Sequence, residues 1–139
     1  MYDNERINRI VEDIRMYLKK LDEIGIKSVS QLDDLNFYAC SMLIFSVLNR
    51  MIDLGDEIVK SNKWGYPIEI REIFSLLLQK KVIDEKMEEK LRDLIIIRNK
   101  FSHRYGTLNK NDIFKFIKEI KIIMDFVNVV LRYIKNHKK

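Results

Sequence analysis

Residues that interrupt secondary structure or form disulfides are scarce in this sequence. The 139 residues include only four glycines, one proline and one cysteine. So few turn formers, together with many Lys, Glu, Leu and Ile residues, favour long helices over many short strands. The single cysteine, Cys40, excludes an intrachain disulfide, and its position in the apolar run 38–48 predicts a buried, inert thiol.

Signals for membranes, metals and nucleotide cofactors are also missing from the sequence. The first six residues are polar, unlike a signal peptide. No uninterrupted apolar stretch approaches the roughly 20 residues that span a bilayer, so we expect a cytoplasmic protein with no membrane contact. The two histidines and the cysteine do not have zinc-ligand spacing, and no glycine-rich loop suits a nucleotide. We therefore predict neither a metal nor a cofactor.

Length and charge are typical of a small globular domain. A chain of this size is most simply a single domain over residues 1–139, and its hydrophobic content of 47% can supply a core. The net charge of +5 would permit contacts with the phosphates of a polyanion. Because the basic residues are spread along the chain, a plain solubilising surface explains the charge equally well.

Apolar residues at steps of three and four predict five helices. Gly25 should end the first helix, Asp84 should cap the fourth and Asn109 the fifth, whereas Ser28 and Ser30 offer caps near the second. Their approximate ranges are 4–24, 33–61, 68–80 and 84–102, followed by a last helix that begins after Asn109. We predict an all-α, up-and-down four-helix bundle with one additional short helix.

Two of these helices carry regular apolar seams, which we expect to pack in the bundle. The seam of the second helix consists of Leu35, Tyr38, Met42, Phe45 and Ile52. The seam of the last helix steps strictly by four and three through Ile113, Ile117, Ile120, Met124, Val127, Leu131 and Ile134. Outside the seams, we expect Trp64 and Tyr66 to cover the edge of the core rather than bind bases, and His137 to be solvated.

A polar line runs beside the seam of the second helix. Asn49, Asp53 and Asp56 follow each other at i, i+4 and i+7. The line is either a solvated edge or an inward face that holds a catalytic arginine, and Asp53 is the strongest candidate for that second role. Gly55, within the same helix, would permit a close helix crossing.

The densest group of chemically useful side chains closes the fourth helix. An arginine fork holds phosphate, a histidine moves protons near neutral pH, and a tyrosine hydroxyl can be modified. Metal-free RNA cleavage needs a base, an acid and a cation, and one chain has a single suitable histidine. A symmetric dimer would supply two copies of each group. The run consists of Arg98, Asn99, Lys100, Phe101, Ser102, His103, Arg104 and Tyr105.

This run fits the Arg-Asn-x-x-x-His-x-Tyr signature of the HEPN superfamily, and it resembles HepT-type toxins of the DUF86 group more narrowly. The upstream segment 52–56, Ile-Asp-Leu-Gly-Asp, is similar to that group's Ile-Asp-x-Gly segment. The resemblance implies a helical homodimer that acts as a metal-independent endoribonuclease, with Arg98 and His103 lining a cleft between the two copies.

The resemblance also implies a regulatory partner and supporting residues. A MntA-type nucleotidyltransferase antitoxin would attach AMP to Tyr105 and silence the toxin. Asn99 would support the cleft, and Asp53 would orient Arg98 through a charge-assisted hydrogen bond. The chain departs from the family at Ser102 and Arg104, where apolar and acidic residues are common, and Arg104 should favour phosphate binding.

Two other functions remain open at this point. The protein could be a non-catalytic partner subunit that binds nucleotide or substrate for a nucleotidyltransferase. It could also be a purely structural dimerisation bundle, in which Arg98 and His103 would be replaceable by alanine.

Overall fold

Helices make up nearly all of the computed structural model, which describes residues 2–101 and 108–138. No β-strand occurs within these two ranges, as the composition predicts. A short 3₁₀ turn, Val29–Gln31, lies between the first two helices. The α-helices of the described residues are α1 (Asn4–Ile24), α2 (Asp34–Ser61), α3 (Ile70–Gln79), α4 (Glu85–Lys100), α5 (Lys110–Lys118) and α6 (Lys121–Asn136).

Capping residues fix most helix ends where the sequence predicts them. Gly25 ends α1 in the left-handed conformation with φ of 68°, which glycine adopts without steric cost. The side chain of Asp84 accepts a hydrogen bond from the backbone of α4, and Asn109 forms a capping box with Asp112 of α5. The caps proposed for the second helix are wrong, because Ser28 caps the 3₁₀ turn and Asp33 caps α2.

The central element of the bundle is α2, which contacts each of the other five helices. It runs antiparallel to α1, because Arg6 pairs with Glu57 at 3.0 Å and Asp13 pairs with Arg50 at 2.6 Å. Its length and apolar composition would also suffice to cross a membrane. Its inner face is nevertheless packed into the bundle by Cys40, Ser41, Ile44, Val47, Leu48, Met51, Leu54, Gly55, Ile58 and Val59.

Three of the five residues in the apolar seam predicted for α2 face away from the core. Leu35, Tyr38 and Met42 are 77%, 67% and 64% exposed, respectively. The core is instead formed by a second stripe that contains Ile44 and Val47. Both stripes repeat at helical spacing, and periodicity alone does not say which one turns inward. The expectation for Cys40 is confirmed, since the thiol is buried and its burial raises its pKa.

The predicted last helix is divided into α5 and α6. Buried positions continue across the break, because Phe116 and Ile123 are both fully buried and seven residues apart, which is close to two helical turns. The chain tightens between them, where the backbone N–H of Ile122 donates to Glu119 and that of Ile123 to Ile120, each at 3.1 Å.

Aromatic contacts close the end of the bundle where α2 and α6 finish. Trp64 lies against the edge of Tyr133, with 5.9 Å between ring centroids, so its predicted role at the core edge is confirmed. The same prediction is wrong for Tyr66, which is 97% exposed. His137 is exposed as expected, yet its ring also stacks on Tyr133 at 3.8 Å.

Gly55 allows α2 and α3 to approach closely. A Cβ atom at this position would lie 3.0 Å from Cγ2 of Ile73 and 3.4 Å from Cδ1 of Leu77. We therefore expect Gly55→Leu to lower the free energy of unfolding by about 1–3 kcal/mol through overpacking, measured by urea denaturation. The control Lys60→Leu, at an exposed position of α2, should change it by less than about 0.5 kcal/mol. An equal effect of both variants would contradict the close crossing.

Candidate active site

The structure describes the beginning of the sequence motif. Arg98 and Asn99 lie in the last turn of α4, and Phe101 caps the helix. His103, Arg104 and Tyr105 lie outside the described residues. The geometry of the candidate site is therefore that of Arg98 and the side chains around it.

Among the described contacts of Arg98, a hydrogen bond to Asn49 and the ring of Phe45 join it to α2. Its Nε donates to Oδ1 of Asn49 at 3.1 Å, and its guanidinium carbon lies 5.8 Å from the ring centroid of Phe45. A weaker contact of 3.4 Å joins Nη1 to the side-chain oxygen of Asn99. A bond to Nε fixes the direction of the guanidinium, and a ring beneath it favours the cation.

Phe45 also connects the end of α4 to α2. Its ring packs on that of Phe101, with centroids 4.9 Å apart. On the other side of the helix end, Lys100 pairs with Asp112 of α5 at 2.8 Å, and this ion pair is largely buried. Contacts to two different helices thus fix the last turn of α4, which presents Arg98.

The described partner of Asp53 is Arg50, and the role of Asp53 in orienting Arg98 stays a prediction. The Asp53 carboxylate pairs with Nη1 of Arg50 at 3.1 Å, and no described contact joins it to Arg98. The reason is local, because Arg50 is one helical turn away and also binds Asp13 of α1. Partial burial acts to lower the pKa of Arg50, but the hydrogen bonds to Asp13 and Asp53 outweigh it, so the pKa is raised.

Asn49 is the supporting residue that sequence reasoning ranked too low. The predicted polar line is real, but its members have different partners: Asn49 binds Arg98, Asp53 binds Arg50, and Asp56 pairs with Lys60 at 2.7 Å. A carboxylate was the expected partner because opposite charges attract. An amide oxygen accepts a hydrogen bond from a guanidinium N–H and carries no countercharge of its own.

Metal ligands are not grouped in the part of the chain that the structure describes. Within residues 2–101 and 108–138, no three His, Cys, Asp or Glu side chains lie close enough together to hold an ion. The chemistry that this region offers is that of an oriented arginine on a partly apolar surface. Such an arginine suits the oxygens of a phosphate.

Known structures share this arrangement of helices. YutE, a cytosolic protein of unknown function from Bacillus subtilis, is 18% identical, with a TM-score of 0.86 over 99% of this chain and 96% of that chain. A tri-AMPylated HEPN toxin of Shewanella oneidensis, solved in complex with an MNT antitoxin, is 21% identical, with a TM-score of 0.83 over 95% and 99%. A toxin–antitoxin complex with AMP-PNP is 20% identical, with a TM-score of 0.82 over 91% and 97%. These similarities show the HEPN-like fold.

The family follows from the sequence itself. No curated protein sequence matches the chain. The model of the family described as "Ribonuclease HepT-like" matches residues 7–130, which include α2, α4 and the whole motif around Arg98. The chain therefore belongs to the HepT-like family.

Proposed function

We propose that the protein is the metal-independent endoribonuclease toxin of a HepT/MntA-type pair and that it acts as a homodimer in the cytoplasm. The observation that carries this proposal is the held arginine. Asn49 and Phe45 orient Arg98 at the helix end that leads directly into His103 and Tyr105. The family match and the net charge of +5 support RNA as the substrate. The description of YutE as cytosolic supports the location.

The cleavage would proceed by intramolecular transesterification at one phosphodiester of the RNA. The RNA 2′-oxygen attacks phosphorus as a base removes its proton, and the bond to the 5′-oxygen breaks as an acid protonates that oxygen. The products are a 2′,3′-cyclic phosphate and a 5′-hydroxyl. Arg98 would stabilise the charge on the phosphorus centre, with Arg104 assisting and Asn99 supporting the cleft.

Two copies of the chain would complete the site. The reaction needs a base and an acid, whereas the motif supplies one histidine, His103, in each chain. A twofold-symmetric cleft would bring together two His103 and two Arg98 side chains, one histidine acting as the base and the other as the acid. No metal would take part in either step.

A cognate MntA-like nucleotidyltransferase would silence this site. The hydroxyl oxygen of Tyr105 would attack the α-phosphorus of ATP, pyrophosphate would leave, and the hydroxyl proton would pass to solvent. The attached AMP carries a phosphate that would compete for Arg98 and Arg104, and its bulk would fill the cleft. The solved Shewanella toxin, described as tri-AMPylated and bound to an antitoxin, supports this regulation.

We expect the purified dimer to cleave single-stranded RNA in EDTA and to leave 5′-hydroxyl ends. Arg98→Ala should lower kcat by about 10²–10³-fold, because a preorganised donor to the transition state is lost. His103→Ala should lower it by about 10²–10⁴-fold. The control Arg132→Ala removes an exposed arginine of α6 and should leave cleavage unchanged.

The same assay tests the alternative function. If folded, unmodified protein leaves every RNA intact but binds a nucleotidyltransferase tightly, it is a non-catalytic partner subunit. In that case its expression alone should not arrest growth.

The hydrogen bond from Arg98 to Asn49 predicts that the two residues act as one unit. Asn49→Leu should lower kcat about tenfold or more with little change in KM, because Arg98 loses its direction but not its charge. In the double variant with Arg98→Ala, the additional loss from Asn49→Leu should nearly vanish. Additive losses in this double-mutant cycle, measured with circular dichroism as the folding control, would show that Asn49 acts independently of Arg98.

Tyr105 should be the acceptor of AMP. Incubation with the cognate nucleotidyltransferase and ATP should add the mass of one or more AMP units to the intact chain and abolish RNA cleavage. Tyr105→Phe should block both changes, whereas Tyr66→Phe, at an exposed tyrosine outside the motif, should block neither. AMP attached to the Tyr105→Phe variant would show that another residue is the acceptor.

A further inference from the structure

A cavity lies at the end of the bundle where α2 and α6 finish. It has a volume of about 350 Å³ and opens between the start of α1, the end of α2 and the end of α6. Pockets of this size hold small organic ligands. We call it the end cavity, and its lining includes Tyr2, Asn4, Asn62, Lys63, His137 and Lys138.

The charged side chains that line the end cavity are basic. Lys63 follows α2 and Lys138 follows α6, whereas no Asp or Glu of the described residues lines the cavity. The neighbouring Asp3 caps α1 instead, where it accepts a hydrogen bond from the backbone N–H of Arg6 at 3.0 Å. Within residues 2–101 and 108–138, no ion pair involves Lys63 or Lys138. Both ammonium groups are therefore available to an anion.

The helix ends offset only part of this positive charge. The carboxyl-terminal ends of α2 and α6 lie at the cavity, and each carries roughly half a negative charge. Lys63 and Lys138 together carry two positive charges, so about one positive charge remains for a ligand. The balance of charge in the end cavity favours an anion.

An aromatic ring is held in place beside the two lysines. The imidazole of His137 stacks on Tyr133 with 3.8 Å between centroids and 12° between the ring planes. Its Nδ1 donates to the backbone carbonyl of Tyr133 at 2.8 Å, and Trp64 supports Tyr133 from the edge. Because Tyr133 covers one face of an otherwise exposed imidazole, the other face can stack on a nucleobase.

The end cavity also contains neutral hydrogen-bonding groups in fixed positions. Nδ2 of Asn62 donates to the hydroxyl of Tyr2 at 3.0 Å and to the backbone carbonyl of Ile58 at 2.9 Å. These two bonds use both amide hydrogens, so Oδ1 of Asn62 remains as an acceptor and the Tyr2 hydroxyl keeps its proton as a donor. A donor beside an acceptor suits the hydroxyl groups of a sugar.

We propose that the end cavity binds a nucleoside monophosphate unit. Its phosphate lies against Lys63 and Lys138, its base stacks on His137, and its ribose meets Tyr2 and Asn62. Inorganic phosphate would use the lysines alone, and an uncharged aromatic ligand would use the imidazole alone. A nucleotide uses all three kinds of group.

This site is separate from the candidate active site. Asn62 follows Asn49, the partner of Arg98, by 13 residues on α2, which is about 20 Å along the helix axis. One nucleotide cannot contact both places. The inference goes beyond the proposed nuclease function and does not depend on it. The bound unit is either a free nucleotide or one nucleotide of a single-stranded RNA.

Titration calorimetry with AMP tests the site in the Arg98→Ala variant, which lacks the arginine of the other site. This variant should bind one AMP per chain with a Kd of about 1 mM or lower. Adding Lys63→Ala and Lys138→Ala should weaken binding by at least about tenfold, because the phosphate loses both cations. Adding His137→Ala should remove the preference for AMP over ribose 5-phosphate, which has no base to stack.

A matched pair of lysines outside the end cavity provides the control. Lys81→Ala with Lys86→Ala removes the same charge from exposed positions and should leave AMP binding unchanged. Lys81 also shares the left-handed backbone of Lys63, with φ of 62° against 55°. Circular dichroism should show the same helix content in all variants. Absence of AMP binding to the Arg98→Ala variant, or equal binding by the two double-lysine variants, would overturn the inference.

A fluorescent single-stranded oligoadenylate distinguishes the two sources of the nucleotide. If a nucleotide of RNA occupies the end cavity, Lys63→Ala with Lys138→Ala should weaken oligoadenylate binding more than the control pair does. If the ligand is a free nucleotide, these two substitutions should weaken AMP binding alone. Neither readout requires RNA cleavage, so AMP binding by a protein that never cleaves RNA would support the end cavity and contradict only the nuclease proposal.

Discussion

The hydrogen bond between Arg98 and Asn49 is the interaction on which the candidate site depends. It joins the end of α4 to the middle of α2, the helix that contacts all the others. A long arginine side chain loses much conformational freedom when it is held in one direction. The bond to Nε and the ring of Phe45 supply that direction before any ligand arrives. Phosphate binding then does not have to offset the entropy cost of ordering the Arg98 side chain.

The position of Arg98 depends in turn on which face of α2 packs into the core. One face of this helix contributes ten buried residues to the core, and each fully buried aliphatic side chain contributes roughly 1.5–3 kcal/mol. The opposite face carries Phe45 and Asn49 next to exposed apolar residues. Because the inner face is fixed by the core, the outer face is presented rigidly. The rigidity of the site is therefore a consequence of packing on the other side of the same helix.

Most of the fold could be predicted from local signals. The limits of α1, the caps at Gly25, Asp84 and Asn109, and the helical class all follow from the chemistry of single positions. The inward face of α2 and the division between α5 and α6 could not be predicted in this way. Both depend on which neighbours meet a helix, and a regular seam is equally regular whether it faces the core or the outside. The same limit applies to the site. The sequence identifies Arg98 and the polar line of α2, but it does not show which member of the line contacts Arg98. In the structure Arg98 contacts Asn49, whereas Asp53 contacts Arg50, which also binds Asp13 of α1.

The ion pair between Lys100 and Asp112 has a consequence for how this protein can diversify. It joins the residues on both sides of segment 101–109, and the Asn109 capping box fixes the start of the next helix. These contacts anchor both ends of the segment to the bundle. Because Lys100, Asp112 and Asn109 hold the flanking helices, we expect substitutions at the non-motif positions Ser102 and Thr107 to leave those helices in place. Target preference can then change at these two positions, while the motif residues and the bundle stay the same.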